Sequence, residues 1–328
     1  MENTKVSVGI TYYNQIDDVD RSIKSVLDQV TTFSFEILIG DDGSNDGTWE
    51  KVLEWENRYP GIIKAFQRRR DDGVSATGFR ASRNRLNLLE KFRGEYFTFL
   101  DGDDYYIDRM KLQQQVDILD NESNRDCMVC AHDIMYVYKD GKKKAKYGNK
   151  LKEGRYNGKE YWKKWYFHTN TELIRKTAMD GLDIDLIANN YNDNYITFLS
   201  FQKGSIYYIP KAMAAYVQTG KGIWTGQKRI INLIRNMYIC DLIYNHNPSY
   251  KRETDIRFRG TWIELFRSRK DINDKYLEMY NREAEDKELK YSLLWLHYNK
   301  IDVLKKIMLC IKMISVEIEY RLFKITDQ

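Results

Sequence analysis

Gly94-Glu95-Tyr96-Phe97-Thr98-Phe99-Leu100-Asp101-Gly102-Asp103-Asp104 is an apolar, aromatic run that ends in three carboxylates within four residues. An uninterrupted apolar stretch bounded by glycine and charge predicts a strand, Tyr96–Asp101, buried on both faces as parallel sheets require. Outward from it the same form recurs, with Val6–Thr11, Glu36–Asp41 and Ile62–Gln67 as further strand candidates, each closing on a polar loop. Among them lie the helix candidates Val19–Leu27, with Ile23, Val26 and Leu27 on one face, Trp49–Arg58, Ala81–Phe92 and Met110–Leu119. Strand alternating with helix predicts an α/β fold built on an open, mostly parallel sheet flanked by helices. Ligands of such sheets bind beyond the carboxyl ends of the strands, where Thr11, Asp41, Asp42 and Asp101 gather.

Like charges at 101, 103 and 104 each favour protonation unless a cation neutralises them. A hard divalent ion, Mg²⁺ or Mn²⁺, takes one or two carboxylates and completes its shell with water and phosphate oxygens. The same residues also suit an acidic turn ahead of a helix near Asp108, and this motif alone leaves both readings open. The second cluster is Ile39-Gly40-Asp41-Asp42-Gly43-Ser44-Asn45-Asp46-Gly47-Thr48. There Asp46 or Thr48 can cap the following helix and the glycines can turn the chain. Asp41 and Asp42 are not needed for that turn, and a carboxylate at the sheet edge can accept hydrogen bonds from a nucleobase or a ribose. Arg68, Arg69, Arg70, Arg80 and Arg83 fall between the third strand and the carboxylate run, where a guanidinium can clasp a diphosphate. The triple arginine run itself reads as a solvated loop.

The remaining chain is less regular. Residues 128–217 mix strand pieces (Met128–Tyr138, Ser205–Ile209, Met213–Val217) with a helix near Asn194–Gln202. From Gln227 the pattern is helical, with Ile230, Leu233, Ile234, Met237 and Cys240 at helical spacing. The expected division is a catalytic-type domain over 1–225, itself halved into 1–104 and 105–225, and a helical C-terminal region over 226–328. A chain of 328 residues, 42% hydrophobic and with three prolines, can bury a large core. Its net charge of +5 gives no ground for nucleic-acid binding. The basic character is concentrated in Lys139–Lys164, with eleven Lys/Arg against three Asp/Glu. Tyr147, Tyr156, Tyr161 and Trp162 within it, with Trp165 just after it, could stack on sugars or sit at a membrane interface, or the segment is a solvated hairpin. No secretory leader pattern opens the sequence, so a cytoplasmic protein is expected. The apolar segment 301–323 carries Lys305, Lys306 and Lys312, which excludes a span; it lies on a membrane surface or packs on neighbouring helices. Cys127 and Cys130 form a lone CxxC without further zinc ligands and are read as thiols, as are Cys240 and Cys310.

Taken in order, Val8-Gly9-Ile10-Thr11-Tyr12-Tyr13-Asn14, DDGSNDGT (41–48), GVSATGFRASRN (73–84) and GEYFTFLDGDD (94–104) resemble a family 2 glycosyltransferase of the GT-A fold over about residues 1–220. The resemblance implies an inverting transferase acting in cell-surface polysaccharide synthesis. It further implies a nucleotide-sugar donor, usually UDP-linked, a divalent cation (Mn²⁺ or Mg²⁺) on the diphosphate, and a glycan or lipid-linked saccharide acceptor. Thr11 and Tyr13 would line the base pocket and Asp42 would read the uracil or ribose. Asp101 would hold the ribose or a metal-bound water, Asp103 would be the direct metal ligand of a DXD motif, and Asp104 would support it. Arg83, followed by Asn84, takes the place of the family's arginine, with Arg80 in reserve. The general base falls at Asp193, where a helix N-cap is the alternative role, and Asp183 and Asp185 are the upstream substitutes.

One departure stands out. Family members often carry a histidine after the strand that here ends Tyr216-Val217-Gln218, whereas this chain continues Thr219-Gly220-Lys221-Gly222-Ile223-Trp224. Lys221 could oppose the leaving diphosphate and Trp224 could close over donor or acceptor. A sugar nucleotidyltransferase would want a glycine-rich phosphate loop after the first strand, and a dinucleotide-binding fold would want GxGxxG; neither is present. The remaining alternative is an inactive transferase-like module that binds glycans or serves as a scaffold. Peripheral membrane association is a further expectation from the basic and apolar segments.

Overall fold

The computed structural model describes residues 4–70, 77–182, 193–220 and 229–267, together with positions 303, 304, 307, 311, 314 and 318 of a C-terminal helix. Four strands, β1 (Val6–Tyr12), β2 (Phe35–Asp41), β3 (Ile63–Gln67) and β4 (Tyr96–Asp101), pair in parallel in the order β3-β2-β1-β4. Helices α1 (Val19–Leu27), α2 (Thr48–Arg58) and α3 (Thr77–Leu89) lie between them in the sequence. Val6, Val8 and Ile10 on one face of β1 and Ser7 on the other have no exposed surface, and in β2 Ile37 and Ile39 are fully buried while Leu38 on the opposite face is 3% exposed, as expected of parallel strands covered on both faces. Ile23 and Val26 on the apolar stripe of α1 share that core. Each expected strand and helix of this half is present within a few residues.

Beyond β4 the sheet becomes mixed. β5 (Tyr105–Tyr106), α4 (Lys111–Asp120), β6 (Cys127–Tyr138), β7 (Lys143–Ala145) and β8 (Gly154–Tyr156) come next in the chain, followed by α5 (Gly158–Lys164) and β9 (Leu173–Arg175). Helix α6 (Asp193–Phe201) then leads to β10 (Ser205–Gln218). The sheet order continues β4-β9-β6-β10-β5, with β9 antiparallel to both neighbours and β10 parallel to β6. The two strand pieces expected at 205–217 are one strand, which breaks register between Ile209 and Ala212, where Pro210 cannot donate to a ladder. Tyr195, Ile196, Phe198, Leu199 and Phe201 of α6 are all buried, as in a helix apolar nearly all round.

The chain divides into two compact units, Met1–Gly158 with Tyr166–Ile223, and Lys159–Trp165 with Trp224–Gln328. The basic segment 139–164 is therefore divided between them, which the sequence did not announce. In the second unit Trp162 is 1% exposed, donates to the Thr254 hydroxyl at 3.1 Å and lies under the Arg257 guanidinium at 4.1 Å. Tyr161 is likewise 2% exposed, so these two aromatics, expected to meet sugar or membrane, are core residues. Helices α7 (Arg229–His246) and α8 (Lys251–Arg267) follow, with Ile230, Leu233, Met237 and Cys240 buried as their spacing foretold. At the C-terminus Val303, Leu304, Ile307, Ile311, Ile314 and Ile318 are all exposed. No helix among the described residues is long and apolar enough to cross a membrane.

Candidate active site

Strand register brings the site together. Thr11 pairs with both Gly40 and Asp101, and Tyr12 pairs with Asp41, so three strands end at one level. The loops stay tied to that edge: the Asp42 amide donates to the Tyr12 carbonyl and the Gly102 amide to the Thr11 carbonyl, each at 3.0 Å. A Cβ on Gly102 would lie 2.2 Å from the Tyr12 ring, so the carboxylate loop approaches β1 only through glycine.

At the end of β2 the two aspartates have different duties. Asp41 accepts from the amides of Gly43 (3.0 Å) and Ser44 (2.9 Å) and from the Gln67 side chain (3.1 Å), and so builds the loop, contrary to expectation. Gly43 has φ +75°, and a Cβ there would meet Arg70 at 2.8 Å. Asp42 is left for charge pairing. Arg80 grips it bidentately (Nε to Oδ2 2.9 Å, Nη2 to Oδ1 3.0 Å), with Arg68 and Arg70 each at 3.7 Å. Arg80 is 2% exposed and holds Asp42 in place. The arginine run is not simply solvated, because the Arg70 guanidinium stacks on Tyr13 at 3.7 Å and leaves that ring 41% exposed.

Helix α3 serves both loops. Arg80 reaches Asp42, Asn84 one turn later donates to the Gly40 carbonyl at 2.8 Å, and Arg85 forms an ion pair with Asp101. Arg83 is half-buried and makes no ion pair among the described residues. Arg85 went unnoticed in the sequence because one helical face cannot be told from the next until the helix is docked.

Burial would raise the Asp101 carboxyl, but the Arg85 charge, with His168 and the Thr11 hydroxyl, holds it below the usual carboxylate range. Burial and then the Asp101 charge push Asp103 up to about 7. Asp104, with no exposed surface, is raised well above the ordinary value by burial and by Asp103 and Asp101. Its oxygens accept from the Val217 amide and the Asn170 side chain, both at 2.9 Å. Arg21 donates to the Asp103 carbonyl at 2.7 Å and steadies the loop from α1.

Ligand atoms of Asp101, Asp104 and His168 lie within 4.8 Å of one another. Two carboxylates and an imidazole form a donor set that suits Mn²⁺ or Mg²⁺, and a raised, buried Asp104 is what a cation would relieve. Asp103, expected as the direct ligand, is not in this converging group; its neighbours on either side are. The sequence shows no histidine just after β10, but one comes to this group from elsewhere in the chain. His168 precedes β9, its ring lies 4.4 Å from that of Tyr216, and burial lowers it to about 4 against the pull of Asp101. Only the tertiary fold brings it here, so no spacing in the sequence could have found it.

The backbone of Asp193 opens α6, which Thr197 ties to Glu172 through a 2.8 Å hydrogen bond. The Asp193 side chain, and Asp183, Asp185, Lys221 and Trp224 altogether, lie outside the described residues.

These features define an α/β sheet whose carboxyl edge gathers carboxylates beside a histidine, and comparison gives it a family. The family model for Glycosyl transferase family 2 matches residues 7–182, more than half of the chain, and the protein belongs to that family. An uncharacterized protein of Mycobacterium bovis is 28% identical over 213 residues, covering 65% of this chain and 58% of its own length. The UDP-Glc:alpha-D-GlcNAc-diphosphoundecaprenol beta-1,3-glucosyltransferase WfgD of Escherichia coli is 34% identical over 119 residues, covering 36% of this chain and 42% of its own. The crystal structure of S. aureus TarS 1-349 in complex with UDP matches 97% of this chain and 92% of that one at a TM-score of 0.60 and 17% identity. The fold is thus the GT-A fold, as expected.

Proposed function

We propose that the protein is a metal-dependent, inverting glycosyltransferase that moves a sugar from a UDP-linked donor to a glycan or glycolipid acceptor. The observation that carries this reading is the single sheet edge at which Thr11, Asp42 and Asp101 meet the Asp101–Asp104–His168 group. Tyr13, backed by Arg70, offers a flat surface to a uracil ring, and Asp42, locked by Arg80, offers a carboxylate to its N–H or to the ribose. Arg83 is the available arginine for the diphosphate. Asp101, Asp104 and His168 would hold Mn²⁺ or Mg²⁺, with Asp103 beside them; a cation there supplies positive charge to the departing diphosphate.

Asp193 takes the proton from the acceptor hydroxyl. The acceptor oxygen then bonds to the anomeric carbon from the face opposite the leaving group, the bond from that carbon to the phosphate oxygen breaks, and UDP leaves with its electron pair. Lys221 and Trp224 would act from the loop after β10. A helical region over 226–328 completes the proposed division, and association is peripheral to the inner membrane face.

The test is release of UDP from UDP-sugars in the presence of Mn²⁺, repeated with EDTA. Metal-dependent turnover is expected. Nucleotide binding without any turnover on a donor panel would return the chain to a binding module.

A further inference from the structure

From the carboxylate group a row of aromatic rings leads outward on one face of the sheet. His168 lies against Tyr216 with 4.4 Å between ring centres, Tyr216 against Tyr136 at 5.7 Å, and Tyr136 against Tyr138 at 6.4 Å. Register requires these rings to share a face. Tyr136 pairs with Tyr216 across β6 and β10, and Tyr138 follows Tyr136 by two residues along β6. The antiparallel partner β7 sets Lys144 opposite Tyr136, and the Tyr138 amide donates to the Lys142 carbonyl at 2.9 Å, so on the same face one lysine stands beside the middle tyrosine and one beside the outer. Tyr138 is 39% exposed, Tyr136 and Tyr216 are half-buried, and Lys144 is exposed with no ion pair among the described residues. Among the described residues Lys142 pairs only with Asp140, and both side chains are more than half exposed. Lys139 also stands here, its Nζ 3.0 Å from where a Cβ on Gly220 would lie.

A cross-strand aromatic ladder inside a sheet needs no cations beside it, and a solvated lysine hairpin needs no aromatic floor. Together they form a surface with two chemistries: ring faces that accept the apolar face of a sugar, and ammonium groups that accept a phosphate. The ladder begins at the metal-ligand candidate and ends at the lysines, so a ligand lying along it has its sugar toward the reaction centre and its charge away from it.

We propose that the Tyr216–Tyr136–Tyr138 face, with Lys142 and Lys144, is the acceptor subsite and that it takes a saccharide joined to a diphosphate. The inference rests on the glycosyltransferase reading, but its test is separable from it. The probe is N-acetylglucosamine α-linked through diphosphate to a short alkyl chain, compared with the same sugar as a plain alkyl glycoside. Binding is measured by calorimetry in the presence of UDP. The diphosphate probe should bind more tightly than the glycoside, and Tyr138→Ala and Lys144→Glu should each weaken it by roughly three- to tenfold. Lys144→Glu alters only an exposed side chain, and the melting transition of each variant reports on its fold. A purely structural ladder would lower the melting temperature in Tyr138→Ala and leave probe affinity alone. Equal binding of the two probes, no binding of the diphosphate probe, or unchanged affinity in both variants overturns the proposal. Co-sedimentation with phosphatidylglycerol vesicles without probe binding also overturns it and assigns the lysines to a membrane surface. Absence of donor turnover in the wild type strikes the glycosyltransferase reading instead.

Discussion

Replacing Arg80 with Met removes the bidentate partner of a carboxylate that is 4% exposed. Stripping one member from a buried ion pair costs about 3–5 kcal/mol, because the remaining charge is left desolvated. Arg68 and Arg70 persist at 3.7 Å with side chains 17% and 34% exposed, and can close part of the gap. The lost bond from Arg80 to the Arg69 carbonyl, 3.2 Å, works in the other direction. A net loss of about 2–4 kcal/mol is expected, or a Tm lower by about 5–10 °C for a unit of this size. Denaturant titration read by far-UV circular dichroism gives the free energy, and calorimetry with UDP reads the second consequence. Asp42 without its anchor should bind nucleotide more weakly. The double variant Arg80→Met/Asp42→Leu should recover much of the stability while nucleotide affinity stays low, since no charge remains to be desolvated. If Arg80→Met lies within about 0.5 kcal/mol of wild type, or the double variant costs the sum of the singles, the pair is not coupled and Arg80 is not what positions Asp42.

Three further outcomes are expected. Asp193→Asn should keep UDP-sugar affinity while acceptor transfer falls by about 10²–10⁴-fold; single-turnover kinetics would decide, and turnover within a few-fold of wild type would place the base elsewhere. His168→Ala should abolish the Mn²⁺-dependent part of UDP binding, seen as loss of the difference between calorimetry with metal and with EDTA; an unchanged difference would remove His168 from the site. In EDTA, Asp103 titrates near 7 when folded and near its ordinary value of about 4 when unfolded, so the folded state holds a proton that the unfolded state lacks. That contribution is complete at low pH and is lost as pH rises through about 7, so Asp103→Asn should flatten the fall in Tm between about pH 5 and about pH 8; a slope identical to wild type would refute it.

The parallel half of the fold was legible because its strands are unbroken apolar runs and its helices are long enough to show a face. β5 has two residues and β7, β8 and β9 three each, too short for any period to register. β9 nevertheless separates β4 from β6, so the reach from the nucleotide half to the second half was hidden in Leu173–Arg175. In the site, Thr11, Asp42 and Asp101 could be named from sequence because they end strands, and strand ends share an edge. The partner of Arg80 appears only in the fold, since an arginine bound to a carboxylate and one waiting for a phosphate look alike in sequence. His168 and Arg85 reach the site across the fold, and the partners of Asp104 come from Asn170 and the end of β10.

That last dependence sets an order of assembly. The carboxylate loop is synthesised early, at 101–104, but the groups that close around Asp104 come from residues 170 and 217. While the chain emerges from the ribosome, the strands β1 to β4 can pair among themselves, since N-terminal portions fold first. Asp104 must wait, solvated and ionised, until β10 arrives beside β6 and β5. A nascent chain shorter than 216 residues therefore has the parallel strand edge but neither the Val217 amide on Asp104 nor the Tyr216 ring beside His168. Arrival of β10 is the event that closes the protein around Asp104, so the acidic edge takes its folded form near the end of the first unit's synthesis.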